Sequence, residues 1–142
     1  MKVYAKSIYA IKAIFEMFYN SPDRTAKIAK IAERQGIPKP FLEQIFNKLK
    51  RTGIIESKRG ANGGYILKRY PSELTLGEVI AIFNDGKTKK KRKAFNIVDK
   101  IFEEGERRYF EYLNSITFED LCKKARKAGI ISEFDKSYIF SI

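Results

Sequence analysis

The chain is expected to be mainly α with a small β-hairpin, a winged helix-turn-helix followed by a long C-terminal dimerisation helix. Three observations lead there. Two short segments of helical apolar periodicity are separated by Gln35-Gly36. A glycine-rich tip then stands between two short strand-like runs. Finally, large side chains recur at heptad spacing from Phe95 to Ile116.

The first segment, Tyr4 to Phe18, places Tyr4, Ile8, Ile11, Phe15 and Phe18 at spacings of four and three. That is an amphipathic helix whose stripe covers the core, with Lys6, Lys12 and Glu16 outward. Ser21-Pro22-Asp23 marks a polar loop over residues 20–25. In the next helix Ile28, Ile31 and Ala32 form one apolar face, and Gly36 stops it. Pro40 begins a second helix, where its missing N–H would have had no partner. Leu42, Ile45, Phe46 and Leu49 face the core from there. Gln44, Asn47, Lys48 and Arg51 recur at i, i+3, i+4 and i+7 on the other side, and no acid is among those four. Gly53 ends this helix.

The runs IIESKR and YILKR flank Gly60-Ala61-Asn62-Gly63-Gly64. Asn-Gly tolerates positive φ at both central positions of a tight hairpin turn. Arg59 stands just before the tip beside Lys58, with Lys68 and Arg69 on the returning run. A solvated surface hairpin would look the same in isolation. After a short helix, a tight turn and a helix with a basic-amide face, the hairpin becomes a wing, and the pattern favours duplex DNA. Gln44 suits bidentate contact with adenine, and Asn47 joins it at the base edges. Lys39, Lys48, Arg51 and Lys58 would position phosphates, and Arg59 would enter the minor groove, whose negative potential attracts arginine.

The run IAERQGIPKPFLEQI, followed by LKRTGIIESKRGANGGYIL and ELTLGEVI, resembles the Rrf-two family of bacterial winged-helix transcription regulators, the family of IscR, NsrR and CymR. Lys6, Tyr9 and Ala10 fit the family's opening helix. The resemblance is close from Tyr4 to Asp85 and looser through LNSITFEDL. It implies a homodimeric, DNA-binding regulator in which Gln44 and Arg59 meet DNA. Where the family often has Ser-Thr near the start, this chain has Tyr4-Ala5, leaving Lys6 for a phosphate, and Phe41 replaces a frequent tyrosine. The family's iron–sulfur members hold a cluster with three closely spaced cysteines between the wing domain and the dimer helix. This chain has a lysine run there and lacks the cluster-binding cysteines.

Charge follows the same division. Residues 1–93 hold 21 Lys+Arg against 8 Asp+Glu, and residues 94–142 hold 8 against 9, so the overall +12 sits in the N-terminal two-thirds. Such a split is expected when one part approaches a polyanion. From Lys87 to Lys93 only Thr88 is not basic. That run reads either as a solvated linker or as an arm that touches phosphates without sequence preference. The expected organisation is residues 1–86 for DNA binding, 87–93 as basic linker, and 94–142 for the dimerisation helix and a C-terminal helix with its tail.

Thr75-Leu76-Gly77-Glu78 matches a capping box, with Leu74 and Val79 as its staple, and starts a helix that buries Val79, Ile80 and Phe83. Thr117-Phe118-Glu119-Asp120 is a weaker version, with aspartate in place of Glu/Gln. Between them Phe95, Val98, Phe102, Gly105, Tyr109, Tyr112 and Ile116 form the heptad seam, with Ile101 and Leu113 on its flank. The seam could pack on its own domain, but its length favours a second helix of the same kind. The tail from Gly129 carries Ile130, Ile131, Phe134, Tyr138, Ile139, Phe140 and Ile142, which fold back on the long helix or cross to a partner.

No stretch approaches the ~20 apolar residues of a membrane span, so no membrane association is expected. The single cysteine, Cys122, reads as a buried small hydrophobe, or else as a redox-sensitive thiol if exposed among positive charge. It agrees with a reducing bacterial cytoplasm. With no histidine, no nucleophile motif and no phosphate-cradling glycine loop, no catalytic residue, metal site or cofactor is expected. Two functions follow. One is a sequence-specific regulator, a repressor acting as a homodimer on a palindromic operator in double-stranded DNA. The other is a winged-helix interaction module that acts through a partner protein with DNA contact secondary. The effector is left open between a small molecule, a protein and none.

Overall fold

The structure is a computed structural model that describes residues 5–61, 63–84, 96–133 and 135. In order come α1 (Ala5–Asn20), β1 (Thr25–Ala26), α2 (Ile28–Gln35), α3 (Lys39–Arg51), β2 (Ile55–Lys58), β3 (Gly64–Leu67), α4 (Leu76–Phe83), α5 (Ile97–Asn114) and α6 (Phe118–Lys127). Expectations for Tyr4, Asn62, the basic run 87–93, Phe95, Phe134 and residues 138–142 fall outside the described residues.

The winged-helix part is packed around α1 and α3, while α5 leans on α4 and α6 on α1. Gly36 closes α2 in the left-handed conformation, φ 63°, and its N–H bonds to the Ala32 carbonyl. Pro40 then lies in the first turn of α3. Leu42, Ile45, Phe46 and Leu49 are all fully buried, as their spacing predicts. They meet Ala10, Ala13, Ile14 and Met17 of α1, Ile31 of α2, Ile55 and Leu67 of the sheet, and Leu76, Val79 and Phe83 of α4.

The core face of α1 differs from the expected stripe. Ile8 is exposed, and Ile11, Phe15 and Phe18 are only partly buried. Ala10 and Ala13 sit fully inside instead. Ile14 and Met17 are fully buried with them, and Ile11, Phe15 and Phe18 pack at the rim of the same core. Glu16 is buried rather than outward. Its carboxylate accepts from Arg34 Nη1 and Gln35 Nε2, both at 2.8 Å, so the last turn of α2 neutralises it.

The sheet has a third strand where the sequence reads as loop. β1 pairs antiparallel with β3 (Thr25↔Ile66, Ala26↔Tyr65), giving the order β1-β3-β2. Two residues are too few to show an alternating pattern. Asp23 accepts from the Thr25 backbone N–H at 3.1 Å, and its bonds to Thr25 hold its carboxyl below the ordinary range. The hairpin tip is wider than a two-residue Asn-Gly turn, because the ladder ends at Lys58↔Gly64 and leaves residues 59–63 as the loop. A turn within it is closed by the Gly63 N–H to the Gly60 carbonyl, 2.8 Å. Gly64 has φ 155°, and a Cβ there would stand 2.5 Å from the Ala26 carbonyl oxygen. Only glycine lets β1 pass so close.

The two capping motifs exchange ranks. Thr75 Oγ1 accepts the Glu78 N–H at 3.1 Å, but the Glu78 carboxylate is taken by Arg69 at 2.8 and 3.2 Å, so that box is half made. The Thr117–Asp120 box is complete, with bonds of 3.0 and 3.1 Å. A competing arginine, more than the acid's length, decides which box closes. The Thr117 backbone N–H, then its side chain, hold the Asp120 carboxyl below its ordinary value. The contribution is therefore present above that ordinary value and lost as pH falls through the lowered one. The starts of α4 and α6 are stitched together by Leu76 N–H to Ile116 O, 2.9 Å, and Phe118 N–H to Leu74 O, 3.1 Å.

Asn96 caps α5, accepting from Val98 and Asp99 N–H groups at 2.9 and 3.0 Å. No residue of α5 is buried. Leu113 and Ile116 reach the core; Ile116 lies past the helix end and so leaves the heptad row. The described part of the tail docks on the end of α1, instead of on the long helix. Tyr19 Oη donates to the Ile130 carbonyl, and the Glu133 N–H donates to Asn20 Oδ1 at 2.8 Å. Cys122 is buried with Tyr19 and Ala125, and burial pushes its thiol up.

Candidate nucleic-acid interface

Because four residues of α3 are committed to the core, its opposite side faces water. Gln44, Asn47 and Arg51 are exposed there, and none bonds or pairs with another described residue. Lys48 lies at the edge of this face, half-buried, its Nζ 5.3 Å from the centre of the Phe83 ring. Lys39 is exposed in the first turn, and Phe41 leans on Tyr9 with ring centres 6.3 Å apart. Lys6 is exposed at the start of α1.

The wing follows α3 directly. Phe46 meets Tyr65 of β3 edge-on at 4.8 Å, which ties the recognition-type helix to the hairpin. Lys58 and Arg59 are exposed, at the end of β2 and in the tip. The two basic residues of the returning strand are engaged elsewhere. Lys68 pairs across the ladder with Glu56 at 3.8 Å, and Arg69 is clamped by Glu78. Thus Gln44, Asn47 and Arg51 share one face, Lys48 borders it, and Lys58 and Arg59 reach out from a separate element.

Glu43 was missed by the sequence stripe. It is exposed on α3, one turn before Asn47. Its signal was the same i, i+4 spacing counted from Asn47 rather than from Gln44. A carboxylate on that side of the helix can accept from a cytosine amino group and repels phosphate.

A short helix, a second helix bare on one side and a three-stranded wing define a winged helix-turn-helix protein. The chain belongs to the Rrf2 family, iron-dependent transcriptional regulators, whose family model matches residues 3–124. It is 38% identical over 85 residues to the transcriptional regulator IscR of Klebsiella pneumoniae, covering 60% of this chain and 52% of that one. The chain spans little more than half the length of the first curated relatives it matches, 58% and 52%. Among solved structures, IscR of T. potens superposes with a TM-score of 0.76 at 34% identity, covering 90% of each chain. CymR, the global cysteine regulator of B. subtilis, shares the fold with a TM-score of 0.75 at 24% identity, over 87% of this chain and 98% of that one. The family is one of regulators, not enzymes. No helix among the described residues is long and apolar enough to cross a membrane.

The family's iron dependence finds no matching donors here. Iron–sulfur clusters are held by thiolates, sometimes with imidazoles. This chain has one cysteine and no histidine. That cysteine is buried in α6 with a raised pKa, and no three His, Cys, Asp or Glu side chains converge among the described residues. The donor set does not fit a cluster. The purified protein is therefore expected to carry no stoichiometric iron by elemental analysis and to keep its DNA affinity after chelation. Iron near one atom per chain, lost together with DNA binding on chelation, would overturn this.

Proposed function

We propose that the chain is a sequence-specific DNA-binding transcription regulator that works as a homodimer on a palindromic operator and represses by occluding a promoter in the bacterial cytoplasm. The observation that supports this reading is the exposed Gln44–Asn47–Arg51 face of α3, without a partner among the described residues, followed in the chain by a wing whose Arg59 is exposed. Gln44 and Asn47 read base edges; Lys6, Lys39, Lys48, Arg51 and Lys58 hold phosphates; Arg59 enters the minor groove. Residues 1–86 form the DNA-binding part, 87–93 the basic linker and 94–142 the dimerisation part. The row Val98, Phe102, Tyr109 and Tyr112, all exposed on α5, supports pairing with a second copy. Two-fold pairing sets the two α3 helices about 34 Å apart, one DNA turn.

In vitro selection of random duplexes at near-physiological salt tests the proposal. The expected result is an enriched inverted repeat with half-sites one turn apart. Salt-sensitive binding with no enriched motif would overturn it. On the selected site, Arg59→Ala is expected to weaken binding roughly tenfold, most where the minor groove is narrow. Wild-type affinity in that variant would remove the wing from the interface.

A further inference from the structure

A surface that meets DNA is built mainly of cations and hydrogen-bonding groups. On the open side of α3, Phe41 departs from that rule. It is the third residue of the helix and is 44% exposed. Residues three or four apart on a helix are neighbours, so Phe41 heads the row that continues through Gln44, Lys48 and Arg51. Single exposed apolar side chains are ordinary on protein surfaces; position is what sets this one apart.

The ring is also held in place. Tyr9 stands 6.3 Å away, centre to centre, with the two planes tilted by 57°. Tyr9 in turn packs against the core. A tilted pair at this distance is a favourable aromatic geometry, so the Phe41 ring has one fixed neighbour and is otherwise open to solvent. Lys39 is exposed on the same turn of α3, and Lys6 is exposed on α1 one turn before Tyr9. An apolar island therefore stands among groups suited to a polyanion.

A phenyl ring has no hydrogen bond to give a phosphate or a base edge. Unmodified duplex DNA offers one apolar projection in the major groove, the C5-methyl group of thymine. The first residues of a recognition helix are the ones that approach base edges there. We propose that Phe41 reads a thymine methyl in each half-site, one turn of α3 before the amide of Gln44. This rests on the DNA-binding reading above and adds to it a base and the side chain that selects it. Tyr9 limits the motion of the ring, so little freedom is lost when the methyl arrives.

Uracil differs from thymine by that methyl alone, so it tests the contact without altering hydrogen bonding. Symmetric thymines of the selected inverted repeat are replaced by uracil in turn, and binding of the full chain is measured at fixed salt. One position is expected to weaken binding about fourfold per half-site, and about fifteenfold when both half-sites are changed, as for the loss of one buried methyl group from each. Phe41→Ala should bind the thymine and uracil operators equally, with its affinity for random duplex unchanged. Phe41→Leu keeps an apolar side chain and should retain most of the preference; circular dichroism checks that both variants keep the helical fold. An operator indifferent to uracil at every thymine overturns the proposal and leaves the regulator standing. A thymine preference that persists in Phe41→Ala overturns it as well, because the methyl is then read elsewhere. If selection enriches no operator, the regulator reading fails and this contact fails with it.

Discussion

Phe46→Ala is expected to cost about 3–5 kcal/mol of stability, the range for truncating a buried aromatic side chain. Phe46 is fully buried and lies edge-on to Tyr65 at 4.8 Å. The substitution therefore opens a cavity where α3, the wing and α1 converge. Small domains hold only about 5–15 kcal/mol in all, so the variant should sit near its unfolding midpoint at moderate temperature. Urea denaturation of the wild type, Phe46→Ala and Phe46→Leu measures this, and leucine should recover most of the loss. A cost below about 1 kcal/mol for the alanine variant would mean that Phe46 does not tie the helix to the wing.

The second large effect concerns specificity. Gln44→Ala removes an exposed side chain that bonds no described residue, so the fold should be unaffected and helix propensity slightly improved. If Gln44 makes a bidentate contact with adenine, each half-site loses about 1–3 kcal/mol, which a symmetric operator doubles. Affinity for the selected operator should fall by about 30-fold or more, while binding to random duplex and the salt slope stay unchanged. Operator preference retained in this variant would show that another part of the chain reads sequence.

Much of this architecture was legible in the residues, and the exceptions share a cause. The register of α3 follows from Leu42, Ile45, Phe46 and Leu49 because large apolar side chains alternate there with polar ones and only one face can be buried. In α1 large apolar residues surround more of the helix, so periodicity does not choose a face; the buried one runs through Ala10, Ala13, Ile14 and Met17. Glu16 was misjudged, and the Thr75–Glu78 box overrated, because the arginines that take the two carboxylates, Arg34 and Arg69, lie 18 and 9 residues away. Local patterns report what a segment prefers, whereas charge pairing across elements is decided only once they meet. Among the interface residues, exposure follows from the core register; whether each touches a base or a phosphate depends on a second molecule.

The strand order also bears on how the protein behaves at high concentration. Because β1 covers one side of β3, the sheet's long free edge is β2, residues 55–58. Free edges invite other strands to add, which is a route to aggregation. Here the edge is only four residues long, and its outward positions carry Glu56, Ser57 and Lys58. An incoming strand would have to desolvate two opposite charges and break the Glu56–Lys68 pair for a short ladder. The short, charged edge thus keeps copies of the chain from joining through the wing.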